Sequence, residues 1–241
     1  MLQHEAALEQ IKRTRLVAIL RGIGSGQALD IASALYEGGV RALEFTFDHD
    51  DPDCVAHNCE RIHAVRSRFP EDLLVGCGTA LTVEEVEKSI AAGGQLVISP
   101  NTNVEVIRRT RELGAVSMPG ALTPTEIVTA YEAGADLVKL FPAGELGVGY
   151  IRAVRGPLGH IPMTACALKR SLPSWMLASL VLESAASWCV KIFFARAIWP
   201  ELLPAHVNSL LPSRRGRRAR RHELFHHYRC WDDESACIAV R

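Results

Sequence analysis

With 241 residues, 27 Lys and Arg balanced by 27 Asp and Glu, and a formal net charge of +0, the chain has no global bias toward nucleic acid or an anionic membrane surface. No apolar run approaches the roughly 18 residues that a membrane-spanning helix needs, and no amino-terminal apolar stretch leads to a cleavage site. Seven cysteines, an odd number without paired spacing, suit a reducing compartment, so the expected location is cytoplasmic. Cys54 and Cys59 lie five apart, a spacing that matches no zinc ligand set, and with Cys77 they read as ordinary thiols.

The elements alternate along the chain. Residues 16–20 (Leu-Val-Ala-Ile-Leu) form a short apolar run, followed by Arg21-Gly22 and a helical stretch over 27–37 that Gly38-Gly39 end. Residues 42–47 are β-rich and lead into a polar, helix-like segment that ends at Phe69. Residues 73–79 read as the third strand. Thr82 then caps a helix, with Glu85 three residues on completing a capping box and Glu84 near the positive helix end. Residues 95–99 form the fourth strand, stopped by Pro100, and 115–118 the fifth, stopped by Pro119-Gly120. Thr123-Pro124-Thr125-Glu126 starts a helix. The sixth strand lies within 135–143 and the seventh within 161–165.

Strand–helix pairs of about 20 to 30 residues call for parallel strands with helical crossovers. Seven or eight such units in this length favour a closed (β/α)8 TIM barrel over an open sheet. In such barrels the reactive groups gather where the strands end, and Arg21, Glu44, Thr79, Pro100, Pro119 and Lys139 all fall at or near strand ends.

Two of these are charges placed inside apolar runs. Lys139 sits among Leu137, Val138, Leu140 and Phe141, where Pro142 stops the run. Burial disfavours its ammonium form, and a neutral amine is the nucleophile that condenses with a carbonyl to give a Schiff base. The plainer alternative is a lysine snorkelling to solvent from a strand end. Glu44 lies in the second strand, where burial raises a carboxyl toward neutrality and suits it to proton transfer. Its alternative is an ion pair with Lys139 and no chemistry. Arg21 offers a forked cation for a substrate carboxylate, or is simply a surface arginine.

Leu-Glu-Phe-Thr (43–46), Gly-Cys-Gly-Thr (76–79), Ile-Ser-Pro (98–100), Met-Pro-Gly-Ala-Leu-Thr-Pro-Thr-Glu (118–126) and Val-Lys-Leu-Phe-Pro-Ala (138–143) together resemble the class I aldolases for 2-dehydro-3-deoxy-6-phosphogluconate, the KDPG aldolases, a family that includes 4-hydroxy-2-oxoglutarate aldolases. The resemblance covers roughly residues 15–165. It implies that Lys139 forms the Schiff base and that Glu44 moves protons through a water. It implies that Thr79, Pro100 and Phe141 line the pyruvyl pocket and that Arg21 takes the keto-acid carboxylate. Other members place an arginine two residues after the second-strand Thr, where this chain has Asp48. The implied reaction yields pyruvate plus glyceraldehyde 3-phosphate or glyoxylate. It requires no metal or organic cofactor, and the family implies a homotrimer.

The last third departs from this pattern. Seventeen of the 18 glycines lie at or before Gly159, and all four tryptophans lie after it. Where the family has a Gly-Gly pair for the substrate phosphate, this chain reads Cys166-Ala167-Leu168-Lys169. Where it has a glycine-rich loop ending in Ser, Ser184-Ala185-Ala186-Ser187 stands, leaving Ser187 as the phosphate serine. Side chains there crowd a phosphate. An unphosphorylated or galactonate-derived 2-oxo acid is therefore an alternative substrate, and an inactive barrel (a pseudoenzyme or binding protein) a further reading. The interruption itself reads as a shift of reading frame in a G+C-rich gene or as a diverged copy, which DNA sequencing across codons 160–200 resolves.

The barrel is expected over 1–212, with irregular carboxy-terminal strands and helices, and a basic tail over 213–241. The six arginines between Arg214 and Arg221 read as a solvated, disordered tail rather than a nucleic-acid site. His222-Glu223-Leu224-Phe225-His226 spells a metalloprotease string, but it lacks a supporting domain and reads as coincidence.

Overall fold

The computed structural model describes residues 4–167 and 176–182. Helix α1 (His4–Thr14) precedes β1 (Leu16–Leu20), and a 3-10 turn (Ser25–Gln27) leads into α2 (Ala28–Glu37). The repeat continues as β2 (Ala42–Thr46), α3 (Cys54–Arg68), β3 (Leu74–Gly78), α4 (Val83–Ala91), β4 (Leu96–Ile98) and α5 (Val104–Glu112). Then come β5 (Val116–Met118), β6 (Gly120–Ala121), α6 (Pro124–Glu132), β7 (Val138–Leu140), α7 (Ala143–Leu158), β8 (Met163–Ala167) and β9 (Met176–Leu182). The strands run in the order β5-β4-β3-β2-β1-β9-β8-β7-β6.

The two ends of that order are one broken strand. Pro119 has no N–H to give the ladder, so β5 and β6 separate there and each pairs on its own side, β5 with β4 and β6 with β7. Leu137 N donates to Ser117 O (3.3 Å) and Lys139 N to Pro119 O (2.9 Å), which joins β7 to the β5 side of the break. The wall is therefore a closed ring, as the βα alternation predicts.

Side-chain alternation sorts each strand into two sets. Leu43, Phe45, Val75, Cys77 and Val97 pack outward with Ile62 and Val65 of α3 and Val86 of α4. Val138, Leu140, Met163 and Ala165 pack outward with Ile127 of α6 and Ile151 of α7. The complementary set fills the barrel: Val17, Ala42, Leu74, Leu96, Ile98, Val116, Met118 and Leu137 cluster with Ala7 and Ile11 of α1. Cys54, Cys59 and Cys77 are free thiols, and burial pushes Cys77 up to about 12.

Helix α1, absent from the expectation, is the floor of this barrel. Ala7 and Ile11, one turn apart, enter the interior cluster. Burying an isoleucine in this way stabilises by about 1.5–3 kcal/mol. Gln10 beside them donates to Arg41 O at 3.1 Å and also to Asp72 O. His4 and Arg111 both hold Asp136, which precedes β7.

The irregularity expected at the carboxy-terminal end of the barrel takes a definite form: β9 runs antiparallel to both β1 and β8. Only eight residues separate Ala167 from Met176. A parallel return needs a crossover of about a dozen or more, so the chain turns back as a hairpin. The observed strands are also shorter than expected at several ends, with Phe47, Thr79 and Ser99 falling just past the ends of β2, β3 and β4. Among the described residues no helix is long and apolar enough to cross a membrane.

Candidate active site

Glu44 belongs to the inward set of β2, with Ala42 one step toward the floor and Thr46 one step toward the mouth. It pairs in register with Ile19 of β1 and Gly76 of β3. Its residue is 1% exposed, and among the described residues its Oε2 meets no hydrogen-bond partner. Burial raises its carboxyl to about 7, against the opposing pull of the charges on Lys139 and Arg21.

Lys139 is the inward residue of β7, between the outward Val138 and Leu140, and is 8% exposed. Its neighbours in the wall are Gly120 and Thr164. Its Nζ stands 5.1 Å from the centre of the Phe141 ring, which is cation–π range. The structure thus puts the two buried charges of the sequence reading on the same interior surface, near enough to influence each other.

The other expected residues surround them at the strand ends. Arg21 follows β1 directly and is exposed, while its charge still reaches Glu44. Thr79 follows β3, is half-buried, and takes a φ of 59°, a left-handed conformation rare for a β-branched residue. Thr46 Oγ1 donates to Leu20 O at 3.3 Å, tying β2 to β1 just above Glu44. Pro100 is half-buried two residues after β4, and Phe141 is 36% exposed at the end of β7. Asp48 is exposed on the loop after β2, where its Oδ1 accepts from Asp50 N at 3.3 Å.

The helix starts around the mouth are firmly built. The expected capping box on α4 is present, with Thr82 Oγ1 accepting from Glu85 N at 3.2 Å. Glu85 Oε2 accepts from Leu81 N (2.6 Å) and Thr82 N (3.0 Å), and its Oε1 lies 2.8 Å from His49 Nε2. Thr123 and Glu126 repeat the box on α6, with Pro124 in its first turn.

Ser187, the basic block and the His-Glu-Leu-Phe-His string lie outside the described residues. Among the described residues, no group of three or more His, Cys, Asp or Glu is placed to hold a metal ion. Two interior residues escaped the sequence reading. Thr164 is fully buried beside Lys139, and Gly78 lies against Glu44. The alternation of β8 exposes the first. The second follows from the Gly-Cys-Gly motif once β3 is registered on β2.

Fold and site together define an α/β barrel with an amine–carboxyl centre buried near its mouth. The chain belongs to the KDPG and KHG aldolase family, whose model matches residues 8–197. It is 40% identical over 143 residues to a Rhizobium meliloti (strain 1021) protein named "Probable 2-dehydro-3-deoxy-6-phosphogalactonate aldolase", a match covering 59% of this chain and 65% of that one. The chain thus spans a little under two thirds of that relative's length. It is 34% identical over 186 residues to the 2-dehydro-3-deoxy-phosphogluconate aldolase of Treponema pallidum (strain Nichols), covering 76% of this chain and 85% of that one. Among solved structures, it resembles one described as the native KDPGal structure with a TM-score of 0.56 and 36% identity, covering 61% of this chain and 69% of that one.

Proposed function

We propose that the protein is a class I aldolase that cleaves 2-dehydro-3-deoxy-6-phosphogluconate to pyruvate and glyceraldehyde 3-phosphate through an imine on Lys139. The observation that carries this reading is the burial of Glu44 and Lys139 on one interior surface, with the charge of one acting on the other. The Lys139 amine adds to the C2 ketone, and loss of water gives a protonated imine that withdraws electrons from C3. Glu44 takes the C4 hydroxyl proton, directly or through a water, as C3–C4 breaks and the aldehyde leaves. The remaining enamine is protonated at C3, and water hydrolyses the imine to free pyruvate and the amine.

In this reading Arg21 binds the substrate carboxylate, Thr79, Pro100 and Phe141 line the pyruvyl pocket, and Ser187 meets the phosphate. The galactonate epimer is a second candidate substrate, favoured by the 40% identity to the Rhizobium relative. The same family membership supports a homotrimer working in cytoplasmic sugar-acid breakdown of the Entner–Doudoroff type.

Borohydride reduction in the presence of pyruvate tests the central step. The peptide carrying Lys139 is expected to gain the mass of a reduced pyruvyl group, and Lys139→Ala is expected to lose both the label and aldol cleavage. An unlabelled wild-type protein overturns the proposal. Cleavage assays on the two phosphorylated epimers then assign the substrate.

A further inference from the structure

We propose that Gly78 is a positioning residue for Glu44: its missing side chain leaves the space in which the carboxyl lies, and so fixes where the transferred proton is held. This rests on the reading of Glu44 as the proton carrier. Gly78 pairs in register with Thr46 in the ladder between β2 and β3, one inward step from Glu44. A Cβ at Gly78 would stand 2.9 Å from Glu44 Cδ, 2.9 Å from Glu44 Oε2 and 3.0 Å from Thr46 Cγ2. Non-bonded heavy atoms settle at about 3.5–4.0 Å, so a methyl here and the carboxyl cannot keep their present places.

Which one gives way follows from how each is held. The backbone around Gly78 is pinned by Phe47 N donating to Gly78 O at 2.9 Å and by Ala80 N donating to Ile98 O at 3.2 Å. The Glu44 carboxyl is the free end of a flexible side chain, and its Oε2 has no hydrogen bond to another described residue. A methyl therefore moves the acid rather than the strand. Lys139, on a different part of the wall, keeps its place.

Two partial reactions separate these effects. Borohydride trapping of pyruvate reads the imine on Lys139, and exchange of the pyruvate methyl protons with deuterated water, followed by NMR, reads proton transfer. Gly78→Ala is expected to slow exchange by about 10–100-fold, the cost of misplacing a reacting group by roughly 1 Å, while trapping proceeds as in wild type. In a Glu44→Asp background, whose carboxyl is one methylene shorter, Gly78→Ala is expected to cost much less. Unchanged exchange in Gly78→Ala, or the same fractional loss in both backgrounds, overturns the proposal.

If Gly78→Ala alone fails to fold, Gly78→Ala combined with Glu44→Ala is expected to recover the melting temperature of Glu44→Ala. Equal destabilisation in both backgrounds overturns it. Should the wild type itself fail to trap pyruvate, the aldolase reading falls, and this melting cycle still decides whether Gly78 makes room for Glu44.

Discussion

Glu44 near the mouth and Asp136 at the floor are both carboxylates taken out of water and both raised by burial, but they differ in the partners they are given. Asp136 accepts from Ser117 N at 2.8 Å, holds Arg111 at 2.8 Å and stands 3.0 Å from His4. Burial pushes its carboxyl up on balance, and the Ser117 N–H and the charges of Arg111, His4 and Lys12 hold that rise back. Glu44 has distant cations and an Oε2 that no described residue bonds, so burial prevails and its carboxyl rises to about 7. A satisfied acid holds an architecture together. An unsatisfied one retains the capacity to exchange a proton, and the barrel places that capacity on the same inner wall as Lys139.

The sharpest way to break this contrast is Glu44→Gln. It is nearly isosteric but carries no titratable proton, so aldol cleavage is expected to fall by about 10²–10⁴-fold while imine trapping on Lys139 persists. Retained cleavage would make Glu44 as structural as Asp136.

The same variant tests whether the folded state raises the carboxyl. Between the ordinary value of 4.5 and the folded value of about 7, the folded state binds more protons than the unfolded chain. The stabilising contribution is therefore full below the lower value and is lost as pH rises through the upper one, a span worth on the order of 3 kcal/mol. Urea unfolding of wild type and Glu44→Gln at pH 4.5 and pH 8 reads it. Wild type is expected to lose stability relative to the variant on going to pH 8, and parallel curves would show that the folded state does not raise the acid.

A smaller effect is expected at the floor. Asp136→Ala strips a partner from Arg111, His4 and Ser117 N, but the Arg111 side chain is 35% exposed and recovers part of its hydration. The expected loss is about 2 kcal/mol by urea unfolding, with the cleavage rate per folded molecule unchanged. A lowered rate at unaltered stability would place Asp136 in the chemistry and erase the division between mouth and floor.

The wall and the central pair were legible because both rest on local patterns. Strand alternation sends Glu44 and Lys139 inward whatever the helices do, and Thr82 with Glu85 marks a helix start from three residues of spacing. Helix α1 was overlooked although Ala7, Leu8 and Ile11 show helical spacing, because the segment is otherwise polar and its burial comes from plugging a barrel end. The antiparallel β9 was missed because direction is not a property of a strand's own residues. It depends on the length of the connection, and the eight positions between Ala167 and Met176 are fewer than the dozen or so a parallel crossover needs. Gly78 escaped because its role depends on register between strands more than thirty residues apart in the chain.

The antiparallel closure bears on how the chain folds as it is synthesised. Leu16 of β1 pairs with Leu180 of β9, so the first strand waits for the last described one before both of its sides are bonded. Until then β1 is an open edge of five apolar residues, the kind of edge that recruits a second chain. Because β9 turns back on β8 after a short span, it can reach that edge as part of a preformed ribbon rather than searching for it alone.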